Sequence, residues 1–329
     1  MVERSTVLQF VQIAAETTPG TTPGTGFRKL QSLRFEVQPE GDFQIHRGAP
    51  YKFPSLAILN KESASVRIPD SPATYNELPY LLASVLKTTT PTVPDGATDA
   101  RLWTFDPSST AADTPRTFSI EQGDAVRAHR VAYALFHELS LKFSREAATV
   151  AATGFARPLQ DGITLTSGAT EVPLVPIMPH TLDGYLDPTH GALGTTKLLR
   201  LFSGELTVRS RWQAVWTVNS AAASFAAHYE TEPEGRLTLL VEADAQGMAH
   251  LTQARGGATQ FFRLRAVGPQ IETGQNHELT IDLAVKVSKL GSLQDEDGLF
   301  VCNVEFVIVH DAGWGRALQA VVKNTLTGL

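Results

Sequence analysis

His277-Glu-Leu-Thr-Ile-Asp-Leu-Ala-Val-Lys-Val287 alternates apolar and polar side chains along its length. Leu279, Ile281, Leu283, Val285 and Val287 point to one side of a strand, and Glu278, Thr280, Asp282 and Lys286 to the other. Such a strand covers a core with one face and meets solvent with the other, which antiparallel sheets permit and doubly covered parallel sheets do not. The same period recurs downstream in Phe300-Val-Cys-Asn-Val-Glu-Phe-Val-Ile308, where Phe300, Cys302, Val304, Phe306 and Ile308 share a face. Upstream it predicts strands near 204–210, 212–219, 236–242 and 260–266. In the first half it predicts strands near 30–38, 42–47, 63–69, 101–106 and 116–121, then a hairpin of Val126 to Leu141 and Thr149 to Phe155.

The strand pattern repeats. Arg34 to Arg47 overlies Glu205 to Val218 at an offset of 171 residues, setting Phe35 on Leu206, Val37 on Val208 and Ile45 on Trp216. Val66 and Ile68 fall on Leu237 and Leu239 at the same offset. Leu141 to Thr153 falls on Ala312 to Asn324, pairing Phe143 with Trp314, Arg145 with Arg316 and Val150 with Val321. A constant spacing over three stretches points to a duplicated unit. The expected fold is mainly β: two tandem β-sandwich or barrel-like domains at 28–157 and 196–329, each with one flanking helix, joined by a linker at 158–195.

At 329 residues there is enough chain for two cores. A hydrophobic fraction of 42% and a charged fraction of 19% are ordinary for a globular protein, and a net charge of -6 offers no basic stripe for gripping nucleic acid. The single Cys302 excludes an internal disulfide and a thiolate metal cluster, and its place on the apolar face of a strand makes it a small buried hydrophobe. Val7 to Ala15 is too short and too polar for a signal peptide or membrane span, so folding in a cytoplasm and no membrane partner are expected.

Two segments stand apart from the strands. Glu16-Thr-Thr-Pro-Gly-Thr-Thr-Pro-Gly-Thr-Gly26 is so rich in Thr, Pro and Gly that residues 1–27 are expected to form an extended arm. Ser71 to Leu86 places Leu78, Leu81, Leu82 and Val85 at helical spacing, with Thr74 as cap, Glu77 completing a capping box and Pro79 in the first turn, which predicts one amphipathic helix. A poorer helix is predicted near Gln246 to Arg255.

The chemistry of an active site is missing from the motifs. His137-Glu138 and His277-Glu278 put neighbours on opposite strand faces, and His228 with Glu230 is too few groups for zinc. Asp295-Glu-Asp-Gly298 lacks the later ligands of a calcium loop. Gly20, Gly24 and Gly26, and Gly191 and Gly194, do not lie between a strand and a helix, so no phosphate cradle is implied. Gly-x-Ser-x-Gly does not occur. No cofactor, metal or catalytic residue is expected.

The order of arm, strand pair, long loop, strand, helix, strands and hairpin resembles the tail tube (major tail) proteins of long-tailed, non-contractile bacteriophages. The stretches that carry the likeness are Val11-Gln-Ile-Ala-Ala-Glu-Thr-Thr-Pro-Gly20, Thr74-Tyr-Asn-Glu-Leu-Pro-Tyr-Leu-Leu82, Leu102-Trp-Thr-Phe-Asp-Pro-Ser108 and Phe118-Ser-Ile-Glu-Gln-Gly-Asp124, with Glu138-Leu-Ser-Leu-Lys142 in the hairpin. The resemblance implies a β-sandwich tube domain with a flanking helix, six of which make a ring. Rings stack into a channel for viral DNA in the virion tail, assembled in the host cytoplasm with tape measure, tail-tip and terminator proteins as partners. Two domains per chain would then give trimeric rings with pseudo-sixfold symmetry. A β-sandwich binding module or adhesin, and the tube protein of a contractile injection or type VI secretion machine, are the competing classes; a β-sandwich hydrolase would need a constellation that the motifs lack.

Under the tube reading, edge strands of one domain continue into the sheet of the next and cover edges that otherwise invite aggregation. Glu36, Glu138 and Glu205 are candidates for a polar to acidic lumen wall, across which DNA slides without salt-dependent attraction. Thr17, Thr18, Pro19 and Gly20 of the arm, with Tyr51, Phe53, Leu56, Ile58 and Leu59 of the Pro-bounded loop Ala49 to Lys61, are candidate contacts between stacked rings, because the loop holds more apolar surface than an exposed connection keeps.

Overall fold

The computed structural model describes residues 9–124, 126–218, 223–296 and 298–329. Strands hold 55% of the chain and helices 6%, the mainly β class that the alternation predicts. The first ten strands are β1 (Phe10–Ala15), β2 (Arg28–Leu30), β3 (Glu36–His46), β4 (Leu56–Pro72), β5 (Arg101–Phe105), β6 (Phe118–Gly123), β7 (Ala128–Ser144), β8 (Ala148–Ala156), β9 (Gln160–Ile163) and β10 (Thr170–Glu171). They are followed by β11 (Leu182–Asp187), β12 (Leu201–Arg209), β13 (Trp212–Val215), β14 (Ala227–Glu230), β15 (Glu234–Glu242), β16 (Gln260–Glu272), β17 (Gln275–Glu296), β18 (Leu299–Ile308) and β19 (Leu318–Asn324). Helix α1 (Leu78–Val85) follows β4, and α2 (Ala245–Gly256) follows β15.

The pairings are those of a duplication. In the first half β1 pairs β6, β6 pairs β7, β7 pairs β9 and β8, β8 pairs β4, and β4 pairs β3. The second half repeats each step in order: β11 with β16, β16 with β17, β17 with β19 and β18, β18 with β15, and β15 with β12. The match extends to single bonds: Arg157 N–H donates to the Ala132 carbonyl after β8, and Val309 N–H to the Ala284 carbonyl after β18, both at 2.9 Å. In each half one long strand serves two sheets. β7 pairs β6 and β9 up to Ala134, and β8 from Leu135 onward, with Tyr133 held at φ 58° where it changes partners. β17 pairs β16 and β19 up to Val285 and β18 beyond.

The sequence repeat is real in its first two stretches and false in its third. Val37 lies opposite Val66, and Leu206 opposite Leu237, so β3–β4 and β12–β15 correspond after a slip of one pleat repeat. Leu141 to Thr153, however, covers the end of β7 and most of β8, while Ala312 to Asn324 covers a turn and β19. By pairing, the counterpart of β8 is β18 and that of β19 is β9. The first half inserts β5 and its loops between α1 and β6, whereas α2 leads almost directly into β16, so the offset shrinks and never recovers. β17 runs on unbroken to Glu296.

Segment 158–195, expected as a linker, is structural. It supplies β9 to the first unit, β10 against β2, and β11, which opens the second unit. The two units also share hydrogen-bonded seams, β7 with β12 and β5 with β19. One hydrophobic cluster runs from Ile13 to Leu326 and includes Phe136, Leu206, Phe262 and Phe306. Two separate cores were expected; shared strands give the halves a common one.

Residues 10–27 do not form an extended arm, and residues 1–8 lie outside the described residues. β1 is paired on both sides, by β2 and β6, with Ile13 fully buried. The Thr/Pro/Gly run after it is a fixed turn wrapped on a buried carboxylate: Glu16 accepts from Gly20 N–H at 2.6 Å, Ser119 Oγ–H at 2.7 Å and Tyr133 N–H at 2.8 Å. Turn residues that form no ladder are ordered by a buried acceptor that must be satisfied.

Helix α1 exists where predicted but is not amphipathic, since all eight of its residues are buried. Thr74 Oγ1 accepts from Glu77 N–H at 3.1 Å, yet the capping box is not completed. The Glu77 carboxylate instead accepts from the N–H groups of Gln31, Ser32 and Leu33. The β17 face expected in solvent is also partly covered, because Asp282 is buried in a bidentate pair with Arg263.

Candidate assembly surfaces

The seam between the units is an antiparallel pair of β12 with the second part of β7, from Ser203 opposite Ser144 to Val208 opposite Leu139. It joins β3–β4–β8–β7 to β12–β15–β18–β17 in a continuous antiparallel sheet of eight strands. Gly204 sits on the seam opposite Phe143, and a Cβ there would stand 2.3 Å from the Phe143 ring, so the close approach requires glycine. At one end β3 pairs with β4 on one side, and at the other β17 beyond Val285 pairs with β18 on one side. Among the described residues no strand lies along the opposite edge of either, although α2 packs against β17.

The sheet has two unlike faces. Val66, Ile68, Leu139, Leu141, Leu206, Leu237, Leu239, Val304 and Phe306 point into the core. Glu36, Glu138 and Glu205, on β3, β7 and β12, all point to the opposite face, as do Lys142, which lies opposite Glu205, and Arg67, which lies opposite Glu36. Ser140 Oγ–H donates to Glu205 at 2.6 Å. Arg67 pairs with Glu36 at 3.9 Å, Lys142 with Asp70 at 3.0 Å and Lys289 with Glu305 at 3.1 Å. This face is therefore polar with both signs interleaved, the polar end of the polar to acidic range expected, with basic side chains set among the acidic ones. Such exposed pairs each contribute about 0–1 kcal/mol, so they neutralise the face more than they stabilise it. A shallow hollow of about 540 Å³ opens on it beside Lys142, Ser144, Glu205, Thr238 and Asn303.

Past the seam the two units diverge in one feature. The second unit's hairpin breaks at Ser210, which takes φ 58°, and the outer pair β13–β14 folds over the first unit. Arg211 is buried there and donates to the Val85 and Leu86 carbonyls at the end of α1, at 3.1 and 2.9 Å. It pairs with Asp113 at 3.1 Å and Glu230 at 2.8 Å, a cation on the negative pole of a helix. Trp212 Nε1–H donates to the Ser84 carbonyl at 3.0 Å. Phe225, 2% exposed, meets Tyr133 and Phe155 edge to face, with ring centroids 5.0 and 5.2 Å apart. Tyr133 bonds His228 Nδ1 at 2.9 Å. Burial pushes the His228 pKa down, which favours the neutral ring. Neither Arg211 nor Phe225 stands out in the sequence; the only signal is the lapse in alternation after Val208.

The first unit's hairpin does not fold over. β3 and β4 pair without interruption from Glu36 opposite Arg67 to His46 opposite Leu56, with one bulge at Asp42 and Phe43. Residues 56–61, expected in a loop, are therefore strand. The outer hairpin is exposed on both faces: Phe43, Ile45, Tyr51, Phe53, Leu56, Ile58 and Leu59 are each at least 40% exposed, and Phe53 reaches 80%. The expectation of unusual apolar exposure holds, although the carrier is a hairpin. Thr17, Thr18 and Pro19 lie exposed on their turn, and Gly20 is half-buried beneath Arg157, whose guanidinium donates to its carbonyl. Among the described residues no hydrogen bond or ion pair joins that turn to the hairpin tip.

Among the described residues no three His, Cys, Asp or Glu side chains converge on a metal site. Among the described residues no helix is long and apolar enough to cross a membrane. Cys302 is buried, and burial pushes its thiol pKa up. No protein-family model matches the chain, and a search of curated proteins finds no match either.

Proposed function

We propose that this chain is a self-assembling structural subunit, specifically a tail tube protein of a long-tailed bacteriophage of the kind its sequence resembles. One observation carries the reading: a duplicated unit whose sheet already runs on into its own copy through β7 and β12 and ends in the open edges of β3 and β17. The topological counterparts of β7 and β12 are β17 and β3. The bond type that joins the units within a chain is thus available between chains, and repetition at a fixed rotation closes a ring. Six units per ring, the number the resemblance implies, need three chains. Open edges of a long sheet are otherwise an aggregation hazard, and a ring removes them.

The polar, ion-paired face that carries Glu36, Glu138 and Glu205 is the proposed lumen wall. Its interleaved charges give DNA neither a basic track nor uniform repulsion. Negative-stain electron microscopy of concentrated purified protein tests the proposal. Rings or tubes with threefold repetition of the chain are expected; a protein that stays monomeric at every accessible concentration overturns it.

A further inference from the structure

The first unit's bare hairpin and the seat occupied by the second unit's hairpin are related by the duplication. In the first unit Phe225 packs on Tyr133 and Phe155, and the 223–226 segment shares with Glu62, Ala132, Arg157, Pro158 and Leu159 the walls of a remaining hollow of about 710 Å³ at the mouth where β4, β7, β8 and β9 meet. Glu62 N–H donates to the Ala223 carbonyl at 2.9 Å, and the Lys61 ammonium stands 5.3 Å from the Trp216 ring centre. The corresponding mouth of the second unit, where β15, β17, β18 and β19 come together, is an open groove of about 750 Å³. Pro233, Gly235, Ile308, His310 and Leu318 line one wall, and the 107–112 loop and Arg211 the other. Pairing makes these true counterparts: Leu318 holds the register position of Leu159, and Val309, beside His310, makes the closing bond that Arg157 makes beside Pro158.

Resting on the self-assembly reading, we propose that the β3–β4 hairpin of one copy seats in this groove of its lateral neighbour, as β13–β14 seats on the first unit within the chain. By pairing, Phe43 opposite Leu59 holds the position of Trp212 opposite Glu230, and at the 171-residue offset of the returning strand Phe53 falls beside Phe225, so the hairpin carries apolar groups at the same stations as the one already docked. Phe225 is 2% exposed and Phe53 is 80% exposed. The same two open edges set the direction. β12 reaches the first unit's mouth by lying along β7; a β3 that lay along a neighbour's β17 would deliver its hairpin to the mouth of that neighbour's second unit. The occupant is thus a second copy within the ring, and the inter-ring role expected for Tyr51 and Phe53 gives way to a lateral one.

The test is disulfide trapping in assembled protein carrying Phe53→Cys and His310→Cys, both at exposed positions. Under oxidation a ladder of crosslinked chains that stops at the ring number is expected, with no ladder from either single variant. A ladder that continues past the ring number means that the hairpin joins stacked rings, and rings without any crosslink mean that it seats elsewhere; either overturns the inference while leaving self-assembly intact. Absence of any assembled particle overturns both. Independently, Phe53→Ser should leave the monomer's thermal midpoint unchanged and raise the concentration for half-assembly ~10-fold or more, the scale of burying one aromatic side chain. Unchanged assembly of Phe53→Ser also overturns it.

Discussion

Replacing Arg211 with Met should cost about 3–5 kcal/mol of folding stability, the range found when one partner of a buried ion pair is removed. Arg211 is 5% exposed in its side chain and donates to two carbonyls of the α1 terminus as well as to Asp113 and Glu230. Hydrogen bonds to charged groups contribute about 1.5–3 kcal/mol each, so losing the two carbonyl bonds alone is enough to reach the range. Asp113, with a fully buried side chain, would keep only Lys87 at 3.5 Å and the Ser108 N–H at 3.0 Å. Met fills much of the same volume, so packing loss is small and the electrostatic cost dominates. The assay is equilibrium denaturation in guanidinium, comparing midpoint and slope. Adding Asp113→Asn should restore part of the loss, because it neutralises the orphaned charge, and the two changes should then be strongly non-additive. A loss below about 1 kcal/mol, or an Asp113→Asn effect that simply adds, would refute the view that this ion cluster pins the units together.

Two further outcomes follow from the described geometry. Deleting residues 1–24 removes a strand paired on both sides together with the Glu16 anchor, so the truncated protein should lose cooperative unfolding in circular dichroism; a folded, soluble product would show that β1 is dispensable. Burial alone would raise the Glu121 pKa, but bonds from Thr166, Gln12 and Arg130 outweigh it and hold the carboxyl below its ordinary 4.5. A depressed folded-state pKa gives stability that is present above 4.5 and lost as pH falls through the lower folded value. Glu121→Gln should therefore be less stable than wild type at pH 7, with the difference closing in acid, and a gap that is constant from pH 7 to pH 3 would count against this account.

The sequence alone determined whatever depends on local periodicity. Period-two alternation gave the strands and the mainly β class, and helical spacing placed α1 at Leu78–Val85. The 171-residue offset exposed the duplication where no insertion intervened, at β3–β4 against β12–β15. It failed after α1, because an insertion that adds β5 shifts register without altering any local pattern. Amphipathicity of α1 also failed, since a helix does not encode that its polar flank will be covered by Arg211, Trp212 and the 106–117 loop. The buried carboxylates Glu16 and Glu77 read as turn and cap residues, and only the fold shows which distant N–H groups they satisfy. The candidate surfaces divide in the same way. An apolar excess at Tyr51 to Leu59 is a matter of composition and was legible, and the strand positions of Glu36, Glu138 and Glu205 could be guessed. That the three share one face, that basic side chains interleave with them, and that one unit's hairpin docks while its counterpart stands free are decided by pairings between residues far apart in the chain. Those pairings depend on the whole packing arrangement and leave no mark on any short stretch of sequence.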